Sequence, residues 1–574
     1  MSRSPSGPAP VALRLLLLLL LSGCGGEDSH PPPVAPPAAG GPADSLWFRE
    51  RSREAGLDFE HRIGEERRYH LPETVAGGGA LLDVDGDGDL DLLLVQGGDL
   101  LDPDSPSSDR LFRNDGALRF TDITEGSGLD AVGYGIGVCT GDIDLDGDVD
   151  LYITRVGRNT LYRNDGEGRF TDITEESGAG DPAFGTSAAM GDLDGDGLPE
   201  IFAANYVRWS PERELPCTNE DGTRDYCAPN NYRAPAPDLL LRNRGGARFE
   251  DVSERAGLRV AFGNGLGVVF ADLDGDRRPD IAVANDGNPN QLWLNRSTAE
   301  GLRFEEVATR RGAAVDMNGR AEAGMGIVAF DAEGDGDLDL LLTHLRNETN
   351  TFYRNDGGSF TDATVLTGLA GPSRESTGWG QVVADFDHDG RDDLFVGNGR
   401  VTTGSHEPGQ DPYAETDQLF RGVAPARFRE VSPTAVSDAS VGSARAVLRG
   451  DLDDDGDLDL VIVNNGGRAH LLENIAQKRG GALVITLRDP AHRSLSGTIV
   501  RARLDGGDGE GPRVITRLVG SGGGYAAAHD PRVHIGTGGA PAVSLEVLWP
   551  DGTTEKYGSF VPGARPTLVR GSAR

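Results

Sequence analysis

The sequence predicts an all-β fold, a seven-bladed β-propeller followed by a small C-terminal β domain. Three observations carry that prediction. An acidic frame, Asp-x-Asp-x-Asp-x-x-x-Asp, recurs seven times in 574 residues. A short apolar run follows each copy and soon ends in turn residues, as in Leu92-Leu93-Leu94-Val95, Leu151-Tyr152-Ile153-Thr154, Ile281-Ala282-Val283-Ala284 and Leu460-Val461-Ile462-Val463, so the flanks read as strands. The copies start roughly 50–80 residues apart, a spacing that points to propellers and other repeat folds.

Each unit contains more than its acidic turn. A glycine-rich strand precedes it, as in Gly133-Tyr134-Gly135-Ile136-Gly137 and Gly263-Asn264-Gly265-Leu266-Gly267, which suits strands crowded round an axis. A Leu-x-Arg-Asn phrase follows, at Leu111 to Asn114, Leu161 to Asn164 and Leu240 to Asn243, and then a Phe-x-Asp phrase, at Phe120 to Asp122, Phe170 to Asp172 and Phe360 to Asp362. That makes four strands per unit, with seven Leu-x-x-Asn and seven Phe-x-acidic phrases expected for seven blades. Phe48 to Glu50 precedes the first acidic turn, and no Phe-x-Asp phrase follows Leu471-Leu472-Glu473-Asn474. The N-terminal strand is therefore expected to complete the last blade and close the ring. Residues 206–237 and 399–417 read as insertions.

The frames place carboxylates at positions 1, 3, 5 and 9. They are Asp83, Asp85, Asp87 and Asp91; Asp142, Asp144, Asp146 and Asp150; Asp192, Asp194, Asp196 and Glu200; Asp272, Asp274, Asp276 and Asp280; Asp331, Glu333, Asp335 and Asp339; Asp385, Asp387, Asp389 and Asp393; and Asp451, Asp453, Asp455 and Asp459. Asp89, Asp148, Asp337 and Asp457 add an acid at position 7, where a backbone carbonyl can also serve. Acids this close repel one another unless a cation intervenes, and a hard divalent ion taking six to eight oxygens fits best. Up to seven structural Ca²⁺ ions are expected, with the acid at position 9 closing each site. Magnesium demands stricter octahedral geometry. Zinc and copper call for His or Cys ligands. An EF-hand needs flanking helices and a later Glu. The alternative is a set of solvated acidic turns.

Position 6 must turn sharply, and Gly88, Gly147, Gly197, Gly336, Gly390 and Gly456 supply a residue without a Cβ. The fourth loop has Arg277 there, so its turn is expected to be strained or different. The fifth has Glu333 at position 3, with a longer arm.

A net charge of −37 argues against nucleic acid, which needs basic patches, and against direct docking on anionic lipid. The N-terminus carries Arg3 and Arg14 before a leucine run that is too short to span a bilayer. Leu21-Ser22-Gly23-Cys24 resembles a bacterial lipoprotein signal, which implies a lipid on Cys24 and an outer-membrane or cell-surface location. The expected organisation is a signal peptide at 1–23, a Pro/Gly/Ala-rich tether at 24–45, the propeller at 46–476 and the tail domain at 477–574. Cys217 and Cys227 share one Pro-rich loop, and export makes a disulfide between them the expectation over a zinc pair, since no His lies in that loop. Cys139 reads as an inert core residue.

Taken together, these phrases resemble the FG-GAP or VCBS repeats of integrin α-subunit propellers and many bacterial surface proteins. Gly324-Met325-Gly326, Tyr226-Cys227-Ala228-Pro229 and Ala284-Asn285-Asp286-Gly287 are similar to phrases of the cartilage acidic protein family. The tail phrases Gly522-Gly523-Gly524-Tyr525, Arg532-Val533-His534-Ile535-Gly536 and Val547-Leu548-Trp549-Pro550-Asp551-Gly552 look like the ASPIC/UnbV domain. The resemblance runs from about residue 46 to 570; Gly497-Thr498-Ile499-Val500 matches only loosely.

No Gly-x-Ser-x-Gly elbow, His-Glu-x-x-His, haem attachment site or phosphate loop occurs. The expectation is a non-enzymatic surface scaffold for adhesion or interaction with a protein or glycan, as the integrin resemblance implies. The alternative is an enzyme or biosynthetic accessory acting through a pocket on a propeller face or in the tail. Aromatic residues clustered on one face would favour glycan, and convergent perturbed carboxylates or His would favour the enzyme. His529 and His534, beside Asp530, read as structural.

Overall fold

Each acidic unit folds into one antiparallel sheet whose strands pair in chain order. The computed structural model describes residues 46–573, except 65, 103–107, 130–132, 220, 405–410, 437–440, 507–510 and 521. The signal segment, the tether and Cys24 lie outside the described residues.

The second sheet shows the pattern: Tyr134–Gly141, Asp150–Val156, Thr160–Asn164 and Phe170–Asp172. The first strands of the other six are Gly79–Leu82, Gly185–Gly191, Gly265–Ala271, Ile327–Phe330, Gly378–Ala384 and Ala444–Gly450. The seventh sheet takes its outermost strand from the N-terminus: Phe48–Glu50 pairs with His470–Asn474, with Phe48 opposite Asn474. Apolar side chains fill the space between neighbours, as where Leu93 and Leu111 meet Val138, Leu151 and Tyr162. Full burial of such side chains contributes about 1.5–3 kcal/mol each.

The first strands of consecutive sheets touch, and the seventh touches the first. These approaches explain the glycines. A Cβ on Gly267 would stand 2.5 Å from the Met325 carbonyl of the next sheet, and one on Gly326 would stand 2.4 Å from that of Trp379. From the seventh sheet back to the first, the Ala446 N–H donates to the Gly77 carbonyl at 3.2 Å.

The tail has its own core round Leu483, Ile485, Val500, Val547 and Trp549, between two sheets. Val543–Leu548 alternates buried and half-buried residues, as its sequence pattern implies. Packing on or beside the repeat sheets describes only part of its placement, because residues 522–530 run in among the first strands and reach every sheet. Ala527–Ala528 adds a parallel strand to Gly79–Leu82. Ala526 stands against Gly137 and donates to the Ser187 hydroxyl. The Gly523 N–H donates to Val268, and Gly524 exchanges hydrogen bonds with Ile327. The Tyr525 ring meets Trp379 at 4.9 Å, and the Asp530 N–H donates to the Arg449 carbonyl. Among the described residues, no helix is long and apolar enough to cross a membrane.

Candidate functional site

The acids at the two ends of each loop build the turn. In all seven, the position-1 carboxylate accepts the N–H of position 6 at 2.7–3.3 Å. The fourth loop keeps this bond through the Arg277 N–H to Asp272, so its turn is the same. The residue takes φ +70°, a conformation uncommon outside glycine. The position-9 acid opens the second strand and lies buried. Asp91 accepts the Val84 N–H at 2.9 Å and the Asn114 N–H at 2.8 Å, and Asp150, Asp280, Asp339 and Asp459 repeat both bonds.

The asparagine of the Leu-x-Arg-Asn phrase ties each sheet to the one before. Its side-chain amide donates to the position-2 carbonyl of the preceding loop: Asn164 to Val84, Asn243 to Ile143, Asn295 to Leu193, Asn355 to Leu273, Asn474 to Phe386 and Asn114 to Leu452. The expected seven copies of the phrase reduce to six asparagines. The sixth sheet has Gly422 at this position, and the backbone N–H of Ala426 takes the Ala332 carbonyl instead.

The loops bring carboxylate oxygens together. Those of Asp83, Asp85 and Asp91 lie within 4.8 Å of one another, as do those of Asp142, Asp144 and Asp146, of Asp192, Asp194 and Glu200, of Asp272, Asp274 and Asp276, and of Asp385, Asp387 and Asp393. An all-oxygen set at this spacing suits a hard cation bound at ~2.3–2.6 Å. Several buried loop oxygens, Asp144 Oδ1, Glu200 Oε1, Asp272 Oδ1 and Asp274 Oδ1 among them, have no hydrogen-bond partner among the described residues. Burial pushes Asp91 up to about 7 and Asp150 up to about 8, and raises Glu200, Asp280 and Asp393 well above the carboxylate range. A bound divalent ion would oppose this shift.

Arginines divide the loops into two kinds, which the sequence reading did not foresee. Arg242 pairs with Asp194 at 2.6 Å, Arg296 with Asp274 at 2.8 Å and Asp276 at 2.9 Å, and Arg421 with Asp387 at 3.1 Å and Asp389 at 2.8 Å. Arg565, from the tail, reaches Asp451 at 2.7 Å. In the first, second and fifth sheets the equivalent arginines turn to a neighbour instead: Arg113 to Asp115, Arg163 to Asp165 and Arg354 to Asp356. The signal was present only in part: Arg242 precedes Asn243 in the phrase and Arg421 stands at the same place, but Arg296 follows Asn295 and Arg565 comes from the tail.

The opposite ends of these strands carry different chemistry. There the inserted segment, held by the Cys217–Cys227 disulfide with its Cα atoms 5.3 Å apart, brings in Trp209, Tyr226 and Tyr232. The Tyr226 ring meets Tyr69 at 5.3 Å and Tyr413 at 5.5 Å, and His70 meets Trp209 at 5.7 Å. Glu73 lies among them. Its Oε2 accepts the N–H groups of Arg68 and Tyr69 and the Tyr226 hydroxyl, and burial pushes its carboxyl up to about 7. Tyr69 is held at φ +61°, a strained backbone for a bulky residue. None of these residues belonged to the candidate set drawn from sequence; the aromatic content of the insertion was the available clue. Cys139 is buried, as expected. His534 is buried too, with its Nε2 on the Gly456 carbonyl at 2.9 Å, and His529 is half-buried.

Repeated four-stranded sheets, each built round an acidic turn, define a protein of the FG-GAP-repeat class. The FG-GAP-like repeat matches residues 83–153, 142–203, 218–283, 272–342 and 331–396, and the ASPIC and UnbV domain matches 489–574. The chain belongs to the family of FG-GAP-like repeat proteins that end in this domain. It is similar to cartilage acidic protein 1 of Homo sapiens, 24% identical over 348 residues covering 60% of this chain and 39% of that protein. It is similar to the Xenopus tropicalis protein of the same name, 23% identical and covering 59% and 41%. The chain thus spans about two fifths of these relatives' length. Among solved structures it is similar to a lectin of Agrocybe aegerita that recognises non-reducing terminal N-acetylglucosamine (15% identity, TM-score 0.38, covering 64% of this chain and 83% of that one). It is also similar to YCF48 from Cyanidioschyzon merolae (9% identity, TM-score 0.37, covering 70% and 95%).

Proposed function

We propose that the chain is an exported, calcium-stabilised adhesion or interaction scaffold that binds a protein or glycan and performs no catalysis. The seven sheets are the blades of a closed propeller, a reading supported by the Asn114 bond to Leu452 and the Ala446 bond to Gly77, which join the two ends of the series. Cys24 carries a lipid anchor at an outer membrane or cell surface, and the disulfide fits an oxidising compartment.

One observation carries the calcium reading: carboxylate oxygens converge in the loops, and some of them are buried without a partner. Ligand binding is assigned to the opposite end, where the aromatic cluster lies. Calorimetry of the protein in Ca²⁺ and in EGTA tests the first part. A melting temperature that does not move would end the structural-calcium reading. Pull-down from envelope extract and a glycan array test the second.

A second reading, an enzyme or biosynthetic accessory, is favoured by Glu73, raised to about 7 with His70 Nδ1 at 3.7 Å. It requires that Glu73→Gln abolish a turnover shown by the wild-type chain.

A further inference from the structure

A cavity of about 290 Å³ opens at the end of the first three sheets remote from the acidic loops, lined by Asp99, Asp102, Tyr134, Phe184, Trp209 and Ser210 among others. The strand ends explain its position. Asp99 and Asp102 follow the second strand of the first sheet, Tyr134 opens the first strand of the second sheet, and Phe184 immediately precedes that of the third. Trp209 comes from the insertion, and its Nε1 donates to Glu214 Oε2 at 2.7 Å, which fixes the ring by one edge. The volume lies at the lower end of ligand pockets, ~300–1,000 Å³.

The lining combines two chemistries. Trp209, Phe184 and Tyr134 offer aromatic surface. Asp99 and Asp102 offer acceptors, and the Tyr134 hydroxyl, on a side chain only 4% exposed, has no hydrogen-bond partner. A buried hydroxyl left unpaired is costly unless a ligand satisfies it. Asp99 accepts from the Leu101 N–H at 2.9 Å and from Arg68 at 3.1 Å, yet an ionised carboxylate has about four acceptor positions.

We propose that this cavity binds a neutral saccharide unit, one or two rings in size, with a C–H face against Trp209 and hydroxyls donating to Asp99, Asp102 and the Tyr134 oxygen. A neutral sugar presents both an apolar face and a rim of hydroxyl donors, which matches the lining. The carboxylates disfavour an anionic sugar. The Arg68 charge already beside Asp99 weakens the case for a cationic ligand, which an aromatic and acidic site could otherwise hold. The inference rests on the scaffold reading above and names its ligand class.

The test titrates the full-length protein, in detergent and Ca²⁺, with methyl glycosides and disaccharides of neutral hexoses and N-acetylhexosamines, and with choline as a separate arm. Saccharide binding is expected. Trp209→Ala should weaken it by about tenfold or more, and Tyr134→Phe by about 2- to 10-fold, the range of one neutral hydrogen bond. Tyr134→Phe removes only the hydroxyl and keeps the ring, so it decides the matter if Trp209→Ala fails to fold. Saccharide binding that both variants retain in full would overturn the cavity assignment and leave the scaffold reading standing. Choline binding without sugar binding would overturn the ligand class. A wild-type chain that binds no saccharide, and nothing in the pull-down or on the array, would end both readings.

Discussion

The side-chain amide of Asn114 donates to the carbonyl of Leu452 at 2.8 Å, joining residues 338 positions apart. Five other asparagines make the same bond to the preceding loop, so this one links the first sheet to the last. Asn114→Ala leaves the buried Leu452 carbonyl without this donor. A loss of about 1–3 kcal/mol is expected, the cost of an unsatisfied buried group, and urea denaturation measures it. The sixth sheet has Gly422 in place of the asparagine and the Ala426 backbone supplies the Ala332 bond; a Cβ on Gly422 would stand 2.2 Å from the Asp392 carbonyl oxygen, so that position offers no silent control.

Calcium, if bound only by the folded chain, should raise stability by about 2.7 kcal/mol per independent site at 100-fold over Kd. Asp85→Ala should remove one site from the stoichiometry read by isothermal titration and leave the remote sixth loop intact. Loss of every site together would show instead that the loops are coupled.

The arginines make the loops unequal. Arg242 and Arg296 place positive charge on Asp194, Asp274 and Asp276, so a cation must share those carboxylates. Arg242→Ala is expected to tighten binding at the third loop by several-fold, and Arg113→Ala, whose guanidinium pairs with Asp115, to leave the first loop within about twofold. Equal effects in calorimetric titration would refute the division.

The tail should not melt alone. Gly523, Gly524 and Tyr525 satisfy backbone groups of Val268, Ile327 and Val75, and the Tyr525 hydroxyl donates to the Val75 carbonyl at 2.7 Å. One calorimetric transition is expected for the repeats and the tail. Tyr525→Phe should lower stability by about 1–3 kcal/mol by leaving the Val75 carbonyl unpaired. Two resolved transitions would show that the tail is energetically independent.

Asp238 gives a pH test away from the acidic loops. Burial pushes its carboxyl up to about 7, against smaller opposing effects of the Asn205 N–H and Arg259. In the unfolded chain it titrates near ~3.9. Between those values the folded protein holds a proton that the unfolded chain has lost, so this residue's contribution to stability falls as pH rises from about 4 to about 7. Asp238→Asn keeps an oxygen to accept the Asn205 N–H and should flatten that slope in urea titrations at several pH values. An unchanged slope would show that Asp238 does not cause it.

Most of the repeat was legible because its signals are local. An acid at position 1 can reach its own position-6 N–H, and an alternating or apolar run decides a strand within a few residues. The meaning of the phrases was less legible. The asparagine read as a strand marker, although its work is done on a carbonyl tens to hundreds of residues away, as for Asn164 and Val84. The position-9 acid read as a cation ligand, whereas Asp91 also holds two backbone N–H groups, which an alternating spacing cannot reveal.

The sequence by itself determined the number of acidic turns, the four-strand unit, the strand borrowed from the N-terminus and the partner of Cys217, since each follows from short-range pattern or from a phrase missing at one end. Only the tertiary structure decided that Gly522 to Asp530 threads among the first strands of all seven sheets, that arginines sit on some loops and not on others, and that Tyr134, Trp209 and Asp99 line one cavity. The physical reason is the same in each case. These contacts join groups tens to hundreds of residues apart in the chain, and nothing in local propensity specifies which distant group will satisfy a buried charge or a buried hydrogen-bonding atom.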